Sequence, residues 1–132
     1  MIIDAHTHVH PDKDGLGDRY DARLEYLLEN LANSEVDVAV LYAEAVNVPY
    51  IKRIENDFVA ACCAQHPDKL VGFASVHPLE GPDPAKDFEE AVRRHNLKGL
   101  KLHPRFQGVA ADDPRVVPIV RKAAELDLPI AI

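Results

Sequence analysis

Two histidines near the N-terminus are the residues of this chain best suited to chemistry. The segment from Ile2 to His8 begins as an apolar strand and ends in His6 and His8, spaced i, i+2. Alternate residues of a strand point to the same face, so the two imidazoles lie side by side above Asp4, with Cα atoms roughly 6–7 Å apart. Imidazoles at this spacing converge on one divalent metal ion. We therefore interpret His6 and His8 as metal ligands.

A second group of candidate residues belongs to the apolar segment 97–103 and the residues that follow it. Lys101 and His103 alternate on one face, and Arg105 comes next. A lysine flanked by leucines in a buried strand is costly unless it is paired or functional. Lys101 has three interpretations: an ion pair with an acid such as Asp4, contact with a substrate, or carboxylation to bridge metal ions. We predict that Lys101, His103 and Arg105 bind a substrate carboxylate or stabilise developing negative charge.

The other histidines have simpler interpretations. His10 lies beyond the first strand and is interpreted as a loop residue. His66 and His95 lie near predicted helix C-termini, where an imidazole interacts favourably with the helix dipole. His77 ends a strand together with Ser75, and there capping or loop hydrogen bonding competes with a site role.

Predicted strands and helices alternate along the chain. The hydrophobic pattern and the proline positions predict strands over Ile2–Thr7, Asp37–Ala43, Leu70–His77, Leu97–His103 and Pro129–Ile132. They predict a polar loop over His10–Arg19 and helices over Asp21–Ala32, Pro49–Gln65, Pro84–His95 and Pro114–Leu126. This order is typical of a parallel α/β sheet with right-handed crossovers, either doubly wound or closed into a barrel. Sites in such sheets form at the C-terminal ends of the strands, where the candidate residues lie.

Composition indicates one domain over residues 1–132 with a real core, since 47% of the residues are hydrophobic. The net charge of −7 gives no basic surface for nucleic acid or for an anionic membrane. No segment approaches the run of about 18 apolar residues that spans a bilayer, and the N-terminus lacks a signal-peptide pattern. Cys62 and Cys63 are adjacent, so we predict free thiols and a reducing, cytoplasmic setting.

The last predicted strand, 129–132, is apolar and enters the core. A barrel built from alternating strands and helices typically needs about 250 residues. We therefore expect the chain to be the N-terminal half of a (β/α)8 TIM-type barrel, from the first strand to the start of the fifth. A half barrel would leave apolar strand edges open, and a homo-oligomer would also cover them.

Three segments together resemble the amidohydrolase-related family, the branch of the amidohydrolase superfamily that includes aminocarboxymuconate semialdehyde decarboxylase. They are Asp4–His8, Phe73–Pro78 and Gly99–Gly108. The resemblance covers essentially the whole chain in order. It implies a distorted (β/α)8 barrel that holds a divalent metal, usually zinc, at its mouth.

The resemblance also implies a ligand set and a mechanism. His6 and His8 match the two ligands of the first strand, whereas the remaining ligands and the aspartate that serves as general base would lie beyond Ile132. The branch is mostly mononuclear, so a carboxylated Lys101 is not carried over. The implied reaction is metal-assisted addition of water to the carbonyl group of a small-molecule substrate. The decarboxylases of the family instead use the metal to orient a carboxylated substrate.

Three alternatives remain. Phosphoesterases of the PHP type also open with His-x-His, but they carry a histidine after the second strand, where this chain has Leu41-Tyr42-Ala43-Glu44. Nucleases of the TatD type also begin in this way. A non-catalytic half barrel is the third alternative, because two histidines alone make an incomplete zinc site and the isolated half would be inactive.

Overall fold

A computed structural model describes residues 1–12 and 23–132. The strands are β1 Ile3–Thr7, β2 Val38–Tyr42, β3 Leu70–Ser75, β4 Leu100–Lys101 and β5 Ile130–Ala131. The helices are α1 Leu24–Ala32, α2 Asn56–Gln65, α3 Pro84–His95, α4 Pro104–Gln107 and α5 Val117–Glu125. The five strands form one parallel sheet in the order β1-β2-β3-β4-β5.

The core lies between the sheet and its helices. Leu41, Phe88, Leu100 and Ile119 are fully buried there. A Cβ at Gly72 of β3 would lie 2.6 Å from Leu97 Cδ2 and 2.9 Å from Val59 Cγ1 of α2, so glycine lets both side chains approach the strand closely. Burial of this continuous apolar layer is the main force that holds the helices against the sheet.

Helix α3 has the bounds that the sequence predicts, and its ends explain why. The Asp83 carboxylate accepts a hydrogen bond of 3.1 Å from the Lys86 N–H, and Pro84 occupies the first helical position. The helix ends at Asn96, whose φ of 54° is left-handed. Local residues therefore define both the start and the end of α3.

The predicted helix over Pro49–Gln65 is wrong in its first half. Helix α2 begins only at Asn56. The preceding residues instead bring Ile54 into an antiparallel bridge with Glu44, in which the two distances between backbone N and O atoms are 2.9 and 3.1 Å. Pro49 is therefore part of a loop that returns to the end of β2, because those backbone groups pair across the loop.

Smaller differences affect the other elements. The paired part of the predicted strand Leu97–His103 is only Leu100–Lys101, and the chain then enters the short helix α4, which the sequence analysis does not predict. Helix α1 begins at Leu24, and most of the predicted loop His10–Arg19 lies outside the described residues. Among the described residues, no helix is long and apolar enough to cross a membrane.

The two edge strands expose apolar residues. Ile2 and Ile3 at β1, and Ile130 and Ile132 at β5, are exposed to solvent. Among residues 1–12 and 23–132, no strand pairs with the outer side of either edge strand. The sheet therefore presents two edges on which further strands can pair.

Candidate metal and substrate site

The paired histidines of β1 lie together at the C-terminal end of the sheet. The ring centroids of His6 and His8 are 5.2 Å apart in an edge-to-face arrangement. The pairing of β1 with β2 shifts register between Asp4 and Thr7, which is a β-bulge of one extra residue on β1. The Thr7 hydroxyl donates a hydrogen bond of 2.8 Å to the Val40 carbonyl and fixes the strand beyond the bulge.

Tyr42, at the end of β2, contacts both imidazoles. Its ring centroid lies 4.9 Å from that of His6 and 5.7 Å from that of His8, and its hydroxyl donates to the Ala5 carbonyl. Behind it, Phe73 packs at 5.3 Å between ring centroids. This aromatic layer holds the histidines in place and excludes water from one side of them.

The pKa values of both imidazoles lie below the usual value for histidine. Burial, then the charges of His6 and Lys101, lower the pKa of His8 to about 4. Burial and Lys101 also lower the pKa of His6, against a smaller opposing effect of Asp4. A neutral imidazole has the free lone pair that a metal ion needs.

Lys101 is buried beside this pair. Its Nζ lies 5.1 Å from the centroid of the Tyr42 ring, and the residue is 3% exposed. Burial lowers the pKa of Lys101, and the negative charge of Glu44 opposes this shift. Among the ion pairs of the described residues, none joins Lys101 to Asp4, whose carboxylate accepts from the His6 N–H at 3.1 Å. Glu44 is therefore the acid whose charge acts on the pKa of Lys101.

Of the other two predicted substrate-binding residues, His103 is affected by the charges of Lys101 and His6, whereas Arg105 is exposed. The His103 ring stacks on Phe106 at 4.0 Å, and burial followed by the charge of Lys101 lowers its pKa. Arg105 is exposed, and its guanidinium lies over the Phe106 ring at 5.8 Å. The role of Arg105 in binding a substrate stays a prediction.

Glu44 also belongs to this group, although the sequence pattern does not predict it as a site residue. Its Oε1 lies 3.6 Å from His8 Nε2, and its side chain is 8% exposed. Burial raises the pKa of Glu44, and Lys101 opposes the rise. Their i, i+2 spacing puts Tyr42 and Glu44 on one face at the end of the strand next to β1, but an aromatic residue and an acid at such a place are too common to single out.

Three amide and hydroxyl side chains tie the strand ends together around this group. Gln107 Nε2 donates to the Ala45 and Val76 carbonyls, and its Oε1 accepts from the His103 N–H, all at 3.0 Å. Ser75 Oγ accepts from the Ala45 N–H at 3.1 Å. Asn56 bonds to both the N–H and the carbonyl of Ser75. The loops after β2, β3 and β4 are therefore held by side-chain bonds as well as by the sheet.

Two further histidines differ in their surroundings. His10 lies in the loop after β1, as predicted, but it is only 3% exposed, and its Nδ1 has no hydrogen-bond partner among the described residues. His77 Nδ1 accepts from the Leu79 N–H at 3.2 Å, in agreement with loop hydrogen bonding. His77 also lines a cleft of about 190 Å³ beside the Arg53–Glu80 ion pair, outside the histidine group.

The residues present fit part of a divalent metal site. His8 Nε2 faces the buried Glu44 carboxylate at 3.6 Å, which is beyond hydrogen-bond distance. Two neutral imidazoles with a buried carboxylate nearby form a donor set that suits zinc, manganese and similar ions. Within residues 1–12 and 23–132, however, no three His, Cys, Asp or Glu side chains are arranged around one point.

Comparison with known proteins identifies the fold. A family model described as amidohydrolase matches residues 3–132. A candidate amidohydrolase from Staphylococcus aureus superposes with a TM-score of 0.70 at 24% identity, covering 98% of this chain and 46% of that one. The 5-carboxyvanillate decarboxylase LigW from Sphingomonas paucimobilis superposes with a TM-score of 0.74 at 18% identity, with coverages of 98% and 50%.

A second 5-carboxyvanillate decarboxylase, LigW2 from Novosphingobium aromaticivorans, was crystallised with manganese and a nitrobenzoic acid. It superposes with a TM-score of 0.68 at 19% identity, with coverages of 98% and 49%. No curated protein sequence matches this chain significantly. The chain spans about half the length of these structures, and the predicted fold, the first part of a TIM-type barrel, is confirmed.

Proposed function

The chain belongs to the amidohydrolase family, and from that premise we propose that it carries part of the active site of a metal-dependent hydrolase that acts on a carbonyl-containing small molecule. The observation that supports this is the contact of the paired, neutral imidazoles of His6 and His8 at the C-terminal end of β1. Active sites of barrels lie at this end of the strands.

The residues of the site have different roles in this proposal. His6 and His8 hold a divalent cation, with zinc as our expectation and manganese as the ion bound by one structural relative. Such an ion, when bound, polarises a carbonyl group and lowers the pKa of water. Lys101 and His103 lie beside it and bind a substrate carboxylate or the developing negative charge. The aromatic layer of Tyr42 and Phe73 excludes water from the inner side of the histidines.

Decarboxylation is the second candidate reaction. A buried ammonium group close to a metal site suits a substrate with a carboxylate, and two of the structural relatives are 5-carboxyvanillate decarboxylases. In this case Lys101 orients the carboxylated ring, and the chain acts as a lyase.

The experiment uses the natural protein that contains these 132 residues together with the rest of its barrel, freed of metal with a chelator and reloaded with Zn²⁺ or Mn²⁺. Small amides, lactones and hydroxybenzoic acids are offered, and acid release and CO₂ release are measured in parallel. We expect metal-dependent turnover of one class, lost in His6→Ala and His8→Ala. Wild-type protein that binds neither ion would refute the proposal and leave a non-catalytic role.

A further inference from the structure

We propose that the Glu44 carboxylate is a third protein group of the cation site formed by His6 and His8. The inference rests on the proposed function, because it assigns a further residue to the same site. Neither the family match nor the structural relatives assign a role to this residue, which follows β2.

The separation of Glu44 from His8 is the first argument. Oε1 and Nε2 lie 3.6 Å apart, which exceeds the range of about 2.7–3.2 Å typical of hydrogen bonds. Two atoms that each lie about 2.1 Å from a tetrahedral ion are about 3.4 Å apart. The two atoms are therefore too far apart for a direct hydrogen bond but close enough to contact a common ion or a common bound water.

The burial of Glu44 is the second argument. Its side chain is only 8% exposed, and within the described part of the chain no Lys or Arg nitrogen forms an ion pair with it. A buried carboxylate is costly without a positive partner. Lys101 acts on Glu44 electrostatically but makes no direct ion pair in the described residues. A bound cation would supply the missing direct partner.

The rigidity of the backbone around Glu44 is the third argument. Its N–H and carbonyl both pair with Ile54, and the next residue, Ala45, is held by Ser75 and Gln107. The carboxylate is thus presented from a fixed backbone, as functional groups require. Since no three donors of the described residues converge on one point, Glu44 reaches the ion through a bound water or after rotation of its own side chain.

The test measures Mn²⁺ affinity of the full, metal-free chain by electron paramagnetic resonance of the free ion. Glu44→Gln keeps the shape and removes the charge, and we expect the dissociation constant to rise about 10–100-fold. Glu55→Gln is the matched control: Glu55 is exposed, lies in the same loop and bears the same charge. Its affinity should equal that of the wild type.

A second readout separates site membership from a general loss of fold. Co²⁺ replaces Mn²⁺, and its visible absorption bands should change in Glu44→Gln and stay unchanged in Glu55→Gln. If Glu44→Gln does not fold, Glu44→Asp keeps the charge on a shorter arm, and a reduced affinity with altered bands supports the proposal.

Two results distinguish failure of this inference from failure of the proposed function. The role of Glu44 would be overturned if Glu44→Gln binds Mn²⁺ with wild-type affinity while His6→Ala loses binding. Where only Glu44→Asp folds, wild-type affinity in that variant has the same meaning. In both cases the histidine site would remain supported. Equal Mn²⁺ binding by wild type and His6→Ala would overturn the site itself and, with it, the role of Glu44.

Discussion

The ring of Phe73 occupies the space in which a side chain at Gly99 would lie. A Cβ at position 99 would be 2.4 Å from Phe73 Cε2, which no real contact tolerates. The same ring packs against Tyr42, which in turn contacts His6. The absence of a side chain at the start of β4 is therefore connected through two rings to the candidate metal ligands.

Gly99→Ala should destabilise the protein by about 1–3 kcal/mol, because Phe73 must leave its position or the strands must separate. Urea unfolding of the full chain measures the change. Lys98→Ala, at the exposed neighbour of Gly99, is the control and should change stability by less than about 0.5 kcal/mol. Equal stabilities for the two variants would contradict the packing described.

Lys101→Met should lower kcat/KM for a carboxylated substrate at least tenfold, equivalent to about 1.4 kcal/mol of transition-state stabilisation. Methionine fills the same space without the ammonium charge. Lys98→Met, which alters an exposed lysine of the same segment, should leave turnover unchanged. Unchanged turnover in Lys101→Met would remove Lys101 from the proposed mechanism.

Gln107→Ala should destabilise the protein by about 1–3 kcal/mol, because the Ala45 and Val76 carbonyls lose their donor and the His103 N–H loses its acceptor. Gln107→Glu tests the two functions separately, since a carboxylate still accepts from His103 but cannot donate. Thermal unfolding of both variants measures this. A Gln107→Glu variant as stable as the wild type would show that the two donated bonds are unimportant.

The metal-free chain should lose stability as the pH falls from about 6.5 toward 4. His8 has a pKa lowered to about 4 in the folded state, so the unfolded chain binds the proton first over this interval. Its contribution, at most about 3 kcal/mol, is present above pH 6.5 and is gone below pH 4. Melting temperatures measured with a chelator should show a flatter pH dependence in His8→Gln, and identical profiles would refute this assignment.

Cys63 should react slowly with iodoacetamide. Burial, then the neighbouring Cys62, raises the pKa of Cys63 to about 11, and burial also raises that of Cys62. At pH 8 the thiolate of Cys63 is then roughly 100-fold scarcer than that of a free cysteine. Mass spectrometry over time gives the rate, and the urea-unfolded chain, in which both thiols are exposed, gives the reference rate.

The sequence predicts most where a local signal acts alone. Asp83 and Pro84 define the start of α3, and the spacing of His6 and His8 on an apolar strand predicts their contact. Prediction from the sequence fails where pairing between backbone groups that are distant in the chain determines the local structure. Pro49 resembles a helix start, yet residues 49–55 form a loop because Ile54 pairs with Glu44.

The candidate site shows the same contrast between local signals and long-range pairing. Lys101 could be identified because a charge between leucines is conspicuous, whereas Tyr42 and Glu44 could not, since an aromatic residue and an acid after a buried strand are common. Only the pairing of β2 with β1 brings them to the histidines.

The strict order of the strands has a consequence for biosynthesis. Each strand pairs with its neighbour in sequence, so the sheet can grow by one unit at a time as the chain leaves the ribosome, N-terminal part first. The imidazole pair and Glu44 emerge with β1 and β2, well before Lys101 has been synthesised. A nascent chain thus exposes the candidate metal-binding groups to the cations of its surroundings before Lys101, whose charge would compete with those cations, has been synthesised.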